Sequence, residues 1–142
     1  MATMATTGKR PGSEILSATT LIGDKVVNFE GEDLGKIEEL MIDLETGRIN
    51  YAVLSFGGFL GIGDKFFAIP FQSLRLDTEK KSFVLNMDKE HLRNAPGFDK
   101  NNWPTMSREW GEEVHRYYNV TPYWQGEAYR SEKSEREREY RH

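Results

Sequence analysis

The chain has 142 residues, of which 37% are hydrophobic and 30% charged, with no cysteine and a formal net charge of -4. That length suits one compact domain with flanking segments. The absence of cysteine excludes a disulfide scaffold, a thiolate metal site and a thiol nucleophile, and the balanced charge argues against a general nucleic-acid binder.

The opening twelve residues are small and polar, with Lys9 and Arg10 but no apolar stretch of a secretory leader after them. No apolar run approaches the ~18–20 residues that span a bilayer, because Gly57, Gly58, Gly61, Gly63 and Asp64 break the greasiest stretch. The expectation is a soluble, cytoplasmic protein without a membrane partner. Composition divides the chain into a disordered lead over 1–15, a Val/Ile/Phe/Leu-rich barrel over 16–87, a helical and aromatic extension over 88–124, and a charged tail over 125–142. The tail holds equal numbers of acids and bases and almost no aliphatic side chains. It cannot bury enough apolar surface to offset its ordering entropy, so it reads as disordered or as a frayed, exposed helix.

The middle block reads as consecutive strands. Residues 25–29 form a short run with β-branched Val26 and Val27 and end at the Glu30 to Gly35 turn, a hairpin signal. The run from Lys36 to Leu44 changes phase between Ile37 and Leu40, and an extra residue near Glu38 and Glu39, a β-bulge, restores the alternation. Glu45-Thr46-Gly47 forms a short loop with glycine where positive φ is needed. Arg48 to Phe56 is apolar on both phases, which predicts a central strand covered on both faces. A glycine-rich loop over 57–64 follows; Lys65 to Ile69 resumes the sheet, and Pro70 stops it. Leu74 to Leu76 and Ser82 to Met87 flank a polar turn. Together these predict a mainly β fold, a small antiparallel barrel of five to six strands with short C-terminal helices.

After the strands, Asp88 is a fitting N-cap for a helix over 89–94, and Phe98 to Pro104 reads as irregular. Ser107 caps a helix over 108–118 in which Trp110, Val114 and Tyr117 or Tyr118 share a face. That face is expected to dock on the barrel or on a second copy of it.

No catalytic constellation assembles. Glu112 and His115 have the Glu-x-x-His spacing of a carboxylate-bridged metal helix without a partner copy, so a solvated helix face is the better reading. Glu38, Glu39 and Asp43 read as solvated turn acids rather than an acid–base pair. Gly58, Gly61 and Gly63 resemble a reversed dinucleotide fingerprint, but a strand follows where a helix is required, which leaves a turning loop. A hydrolase built on Asp43, Asp64 and His115 is a residual reading. No cofactor and no metal are expected. Phe59, Leu60 and Ile62 on the loop need cover, as do Trp103, Trp110, Tyr117, Tyr118 and Trp124 of the extension. These eight form the candidate interface. Acidic neighbours of the aromatics, among them Asp99 and Glu109, argue against stacked nucleic-acid bases there.

The runs 21–28, 31–43, 46–58 and 65–71, in that order, resemble a PRC-barrel domain, and 94–104 with 117–124 resemble the extension of stand-alone bacterial proteins of that type. The module is similar to the cytoplasmic domain of the photosynthetic reaction-centre H subunit and to the C-terminal domain of a ribosome-maturation factor. The resemblance implies a six-stranded barrel used as an assembly module, with no catalytic residues to carry over. Neither the membrane helix of the first nor the RNA-processing domain of the second has a counterpart, which argues against a photosynthetic or ribosomal role. The expected function is a non-enzymatic protein–protein interaction module that forms a homodimer or binds a protein partner; the alternative is an RNA- or ribosome-associated accessory module.

Overall fold

The structure, a computed structural model, describes residues 15–57 and 65–139. After a single helical turn, α1 (Ala18–Leu21), the chain forms strands β1 (Lys25–Val27), β2 (Asp33–Ile42), β3 (Ile49–Phe56), β4 (Lys65–Pro70), β5 (Leu74–Asp77) and β6 (Ser82–Leu85). Helix α2 (Lys89–Arg93), a two-residue strand β7 (Phe98–Asp99), and helices α3 (Arg108–Tyr117) and α4 (Glu127–Glu139) complete it. The seven strands make one sheet in the order β5-β6-β1-β2-β3-β4-β7.

Two expectations about the sheet are corrected. Instead of five or six strands there are seven among the described residues, because Phe98 and Asp99, read as irregular, pair with Phe66 and Lys65. The sheet is also not wholly antiparallel: β1 pairs in parallel with β6, Lys25 opposite Ser82 and Val27 opposite Val84. A parallel pair needs a long crossover. Here the crossover is the whole meander between the two strands.

Register explains the burial. Ile37 lies opposite Leu54 and Glu39 opposite Val53, so Glu38 is the extra residue of a bulge, as the phase change requires. Residues directly opposite one another share a face. Ala52 with Ile69, Leu54 with Phe67 and Ile37 therefore line one face of β3, and Tyr51, Val53 and Ser55 line the other with Pro70, Ala68 and Phe66. Every residue of β3 from Tyr51 to Phe56 is buried. The central strand is covered on both sides.

The topology also requires the sheet to roll. β4 and β5 stand five places apart in the strand order, which on a flat sheet is about 24 Å at ~4.8 Å per strand. The chain nevertheless passes from Pro70 to Leu74 through one tight 3-10 turn, Phe71–Ser73, and four extended residues reach at most ~14 Å. The sheet curls until these strand ends meet, and the Phe71 ring lies 6.0 Å from that of Phe83 on β6. Val26, Leu34, Ile37, Leu54, Phe67, Ile69 and Phe83 are fully buried in the roll. Among the described residues no hydrogen-bonded pairing joins the two ends of the sheet.

Both predicted caps form. Asp88 accepts the His91 amide at 2.7 Å and Ser107 the Trp110 amide at 3.2 Å. The charged end, expected to be disordered or a frayed exposed helix, is helical over Glu127–Glu139, with Tyr129 its one buried residue. Side-chain bonds to the β2–β3 hairpin hold it where apolar burial does not. No described helix is long and apolar enough to cross a membrane.

Candidate functional site

The loop read as an apolar interface joins β3 to β4, and its Phe59, Leu60 and Ile62 lie outside the described residues. The β4 side of this connection carries an aromatic group. Phe66, one residue into β4, faces Phe98 of the edge strand β7 at 6.1 Å and Trp103 at 5.9 Å, both edge-on. Phe98 and Trp103 are 5.0 Å apart. The Trp103 indole N–H donates to the Lys100 carbonyl at 2.7 Å, which holds the ring against this edge, yet the residue remains 38% exposed. The result is an apolar, partly wet patch beside the first residue of β4.

The other predicted interface residues pack within the same chain. Trp110 meets Tyr51 edge-on at 5.3 Å, and His115 contacts both Tyr51 at 5.6 Å and Trp124 at 4.9 Å. Tyr118 is buried, and Tyr117 stacks on His91 at 4.5 Å while its hydroxyl donates to the His91 carbonyl at 2.6 Å. Helix α3 can approach β3 this closely because it carries glycine at 111. A Cβ there would sit 2.5 Å from the Tyr51 hydroxyl oxygen and 2.7 Å from Trp124.

At the β2–β3 hairpin end lies a polar cluster that spacing did not reveal. Asp43 accepts from the Tyr123 hydroxyl at 2.5 Å, the Glu45 amide at 2.9 Å and the Arg108 guanidinium at 3.2 Å. Burial alone would raise its pKa; these donors, Tyr123 foremost, outweigh it and hold the carboxyl below its ordinary value. Glu45 is lowered by the Tyr129 hydroxyl and Lys133, which lie 3.0 and 3.2 Å away. Arg108 also donates to the Tyr129 hydroxyl at 2.6 Å and lies over the Trp124 ring at 4.7 Å. Arg48 pairs with Glu132 of α4 at 2.5 Å.

This cluster stabilises charge rather than moving protons. A carboxylate with three donors and a lowered pKa is a poor general base. The Tyr123 hydroxyl is held protonated, first by burial and then by its bond to Asp43. The expectation that His115 lies on a solvated face is corrected: it is 1% exposed, its Nδ1 lies 2.7 Å from the Gly111 carbonyl, and burial lowers its pKa. Glu112, three positions earlier, is exposed, so the two do not share an environment. Asp64 of the hydrolase reading lies outside the described residues. Among those described, no three His, Asp or Glu side chains come together as a metal ion would need.

The reading of Asp43 as a solvated turn acid is corrected, since its side chain is 5% exposed and held by three donors, and Arg108, Tyr123 and Tyr129 gave no signal in the sequence. They come from segments 65 to 86 positions away, and no local period links them.

No curated protein matches the chain. Among solved structures it is similar to a putative 16S ribosomal RNA processing protein, RimM, from Pseudomonas aeruginosa, at 21% identity and a TM-score of 0.37, over 57% of this chain and 50% of that one. The chain thus spans about half the length of that structure. The family model of the PRC-barrel domain matches residues 13–92, more than half of the chain and all of the rolled sheet except β7. The protein belongs to the PRC-barrel domain family.

Proposed function

We propose that the protein is a non-enzymatic interaction module whose rolled sheet is the PRC barrel, and that it self-associates through the edge where β3 passes into β4. Trp103 carries this reading: a tryptophan seated on Phe66 and Phe98, still 38% exposed, at the open edge formed by β7. Phe59, Leu60 and Ile62, which lie outside the described residues, belong to the sequence between β3 and β4. Trp and Tyr anchors of this kind dominate small interfaces. Trp110 supports the interface by packing α3 on Tyr51 of β3, Trp124 by packing on His115, and Tyr117 by packing on His91. The setting proposed is the bacterial cytoplasm.

Light scattering and sedimentation of the full chain at micromolar concentration test this. The expected result is a dimer or larger species that Trp103→Ala weakens at least tenfold, with an unchanged fold by circular dichroism. A wild-type protein that stays monomeric in both measurements overturns it.

A further inference from the structure

β5 (Leu74–Asp77) stands at the opposite end of the strand order from β7, and among the described residues it pairs with β6 alone. The backbone N–H and C=O groups along its other side therefore face no strand, and such an edge takes up another strand unless the sequence blocks it. Beyond its shortness, nothing in β5 does so. It holds no proline, its pairing with β6 runs without a bulge, and no charge points into the roll. Leu74 lies opposite Leu85 and Leu76 opposite Phe83, and both leucines pack on the core. Alternation then puts Arg75 and Asp77 together on the outer face, opposite Val84 and Ser82.

These two charges are uncommitted. Arg75 is exposed, with no hydrogen bond or ion pair among the described residues, and Asp77 accepts only the Lys80 amide of its own turn there, at 3.2 Å. A second β5 laid antiparallel along this edge must keep its leucines on the inner face, and residues directly opposite one another share a face. The registers centred on Arg75, Leu76 and Asp77 meet that condition. The first sets Arg75 opposite Arg75 and the last Asp77 opposite Asp77, and like charges directly opposite one another repel. The middle register sets Leu76 opposite Leu76 on a two-fold axis and Arg75 of each chain opposite Asp77 of the other. An extended peptide of unrelated sequence would meet the same backbone groups without matching both charges. The strand itself, turned end for end, supplies the backbone, the leucine and both opposite charges in one register.

We propose that β5 is a second self-association edge, at which two copies of the chain join their sheets by antiparallel β5 pairing, with Arg75 and Asp77 of one matched to Asp77 and Arg75 of the other. The contact is distinct from the Trp103 edge and does not rest on it.

Four residues a side fall far short of the roughly 20–30 of a standard interface, so the contact is weak and is read by amide NMR of the full chain up to about millimolar concentration. The expected result is a saturable, concentration-dependent shift of the 74–77 amides, with slower hydrogen exchange, in the wild type and equally in Trp103→Ala. Arg75→Asp and Asp77→Arg should each weaken this association at least tenfold, since each sets like charges opposite one another. An equimolar mixture of the two should restore it, because every acid then meets an arginine. Shifts absent at all concentrations, or lost in a folded Trp103→Ala chain, overturn the proposal. So do single variants that associate like the wild type, or a mixture that fails to recover. Protection of the β5 amides already at the lowest concentration also overturns it, because the chain's own residues would then cover the edge. The wild-type titration stands even if a variant folds poorly.

Discussion

The Arg108 guanidinium reaches the Asp43 carboxylate at 3.2 Å and so fastens the first turn of α3 to the β2–β3 hairpin across 65 positions of sequence. Asp43 is the buried partner, its side chain 5% exposed against 39% for Arg108. Asp43→Asn keeps the shape but removes the charge, and it leaves the Arg108 and Tyr123 donors with a weaker acceptor. Since hydrogen bonds to charged groups contribute about 1.5–3 kcal/mol and Arg108 is partly hydrated, a loss of about 2 kcal/mol is expected in urea unfolding. An unchanged midpoint would show that the cluster does not hold the hairpin to α3.

Stability should fall with acid in two stages. His115 has a lowered pKa in the fold, from an ordinary 6.5, because burial disfavours its charged form. The unfolded chain therefore binds this proton more readily, and the contribution, fully present above about pH 7, is lost as pH falls below 6.5. Asp43 and Glu45 are lowered from 3.8 and 4.5, so their contribution is present above those values and lost as pH falls through the lower folded ones. Thermal melting across pH checks this: His115→Phe should flatten the first stage, and Asp43→Asn should reduce only the second.

Gly111→Ala ought to destabilise despite alanine's better helix propensity. Propensity favours alanine by about 1 kcal/mol, but the new Cβ meets the fully buried Tyr51 and the Trp124 ring, and such overpacking costs about 1–3 kcal/mol. The net expectation is a lower melting temperature together with a changed near-UV aromatic signal. A rise in melting temperature would mean that α3 can move off β3 freely.

Gly35 and Gly47 separate strain from steric conflict. Both have positive φ, +121° and +81°. A Cβ at Gly47 meets nothing within 4 Å, so Gly47→Ala should cost about 1 kcal/mol from backbone strain alone. A Cβ at Gly35 runs into the Ser55 carbonyl on β3, so Gly35→Ala should cost at least 2 kcal/mol more, by denaturant unfolding, than its counterpart. Equal losses would show that the β2–β3 pairing can shift at that point.

Local chemistry was readable without coordinates. The bulge at Glu38 follows from a two-residue period that slips, the caps at Asp88 and Ser107 from side chains that accept amides three residues on, and the turn at Gly47 from a glycine that closes a short loop between two strands. Each of these depends on neighbours a few positions apart, which is the range over which side-chain period and backbone preference act. Tertiary structure alone decided the parallel β1–β6 pairing, the burial of His115, the Asp43 cluster and the contacts of α4 with the β2–β3 hairpin. These join segments dozens of residues apart, and whether they meet is set by how the sheet rolls and which of its faces the C-terminal segment covers. No local pattern encodes that outcome, because an acid destined for three donors and an acid destined for water are the same letter in the chain.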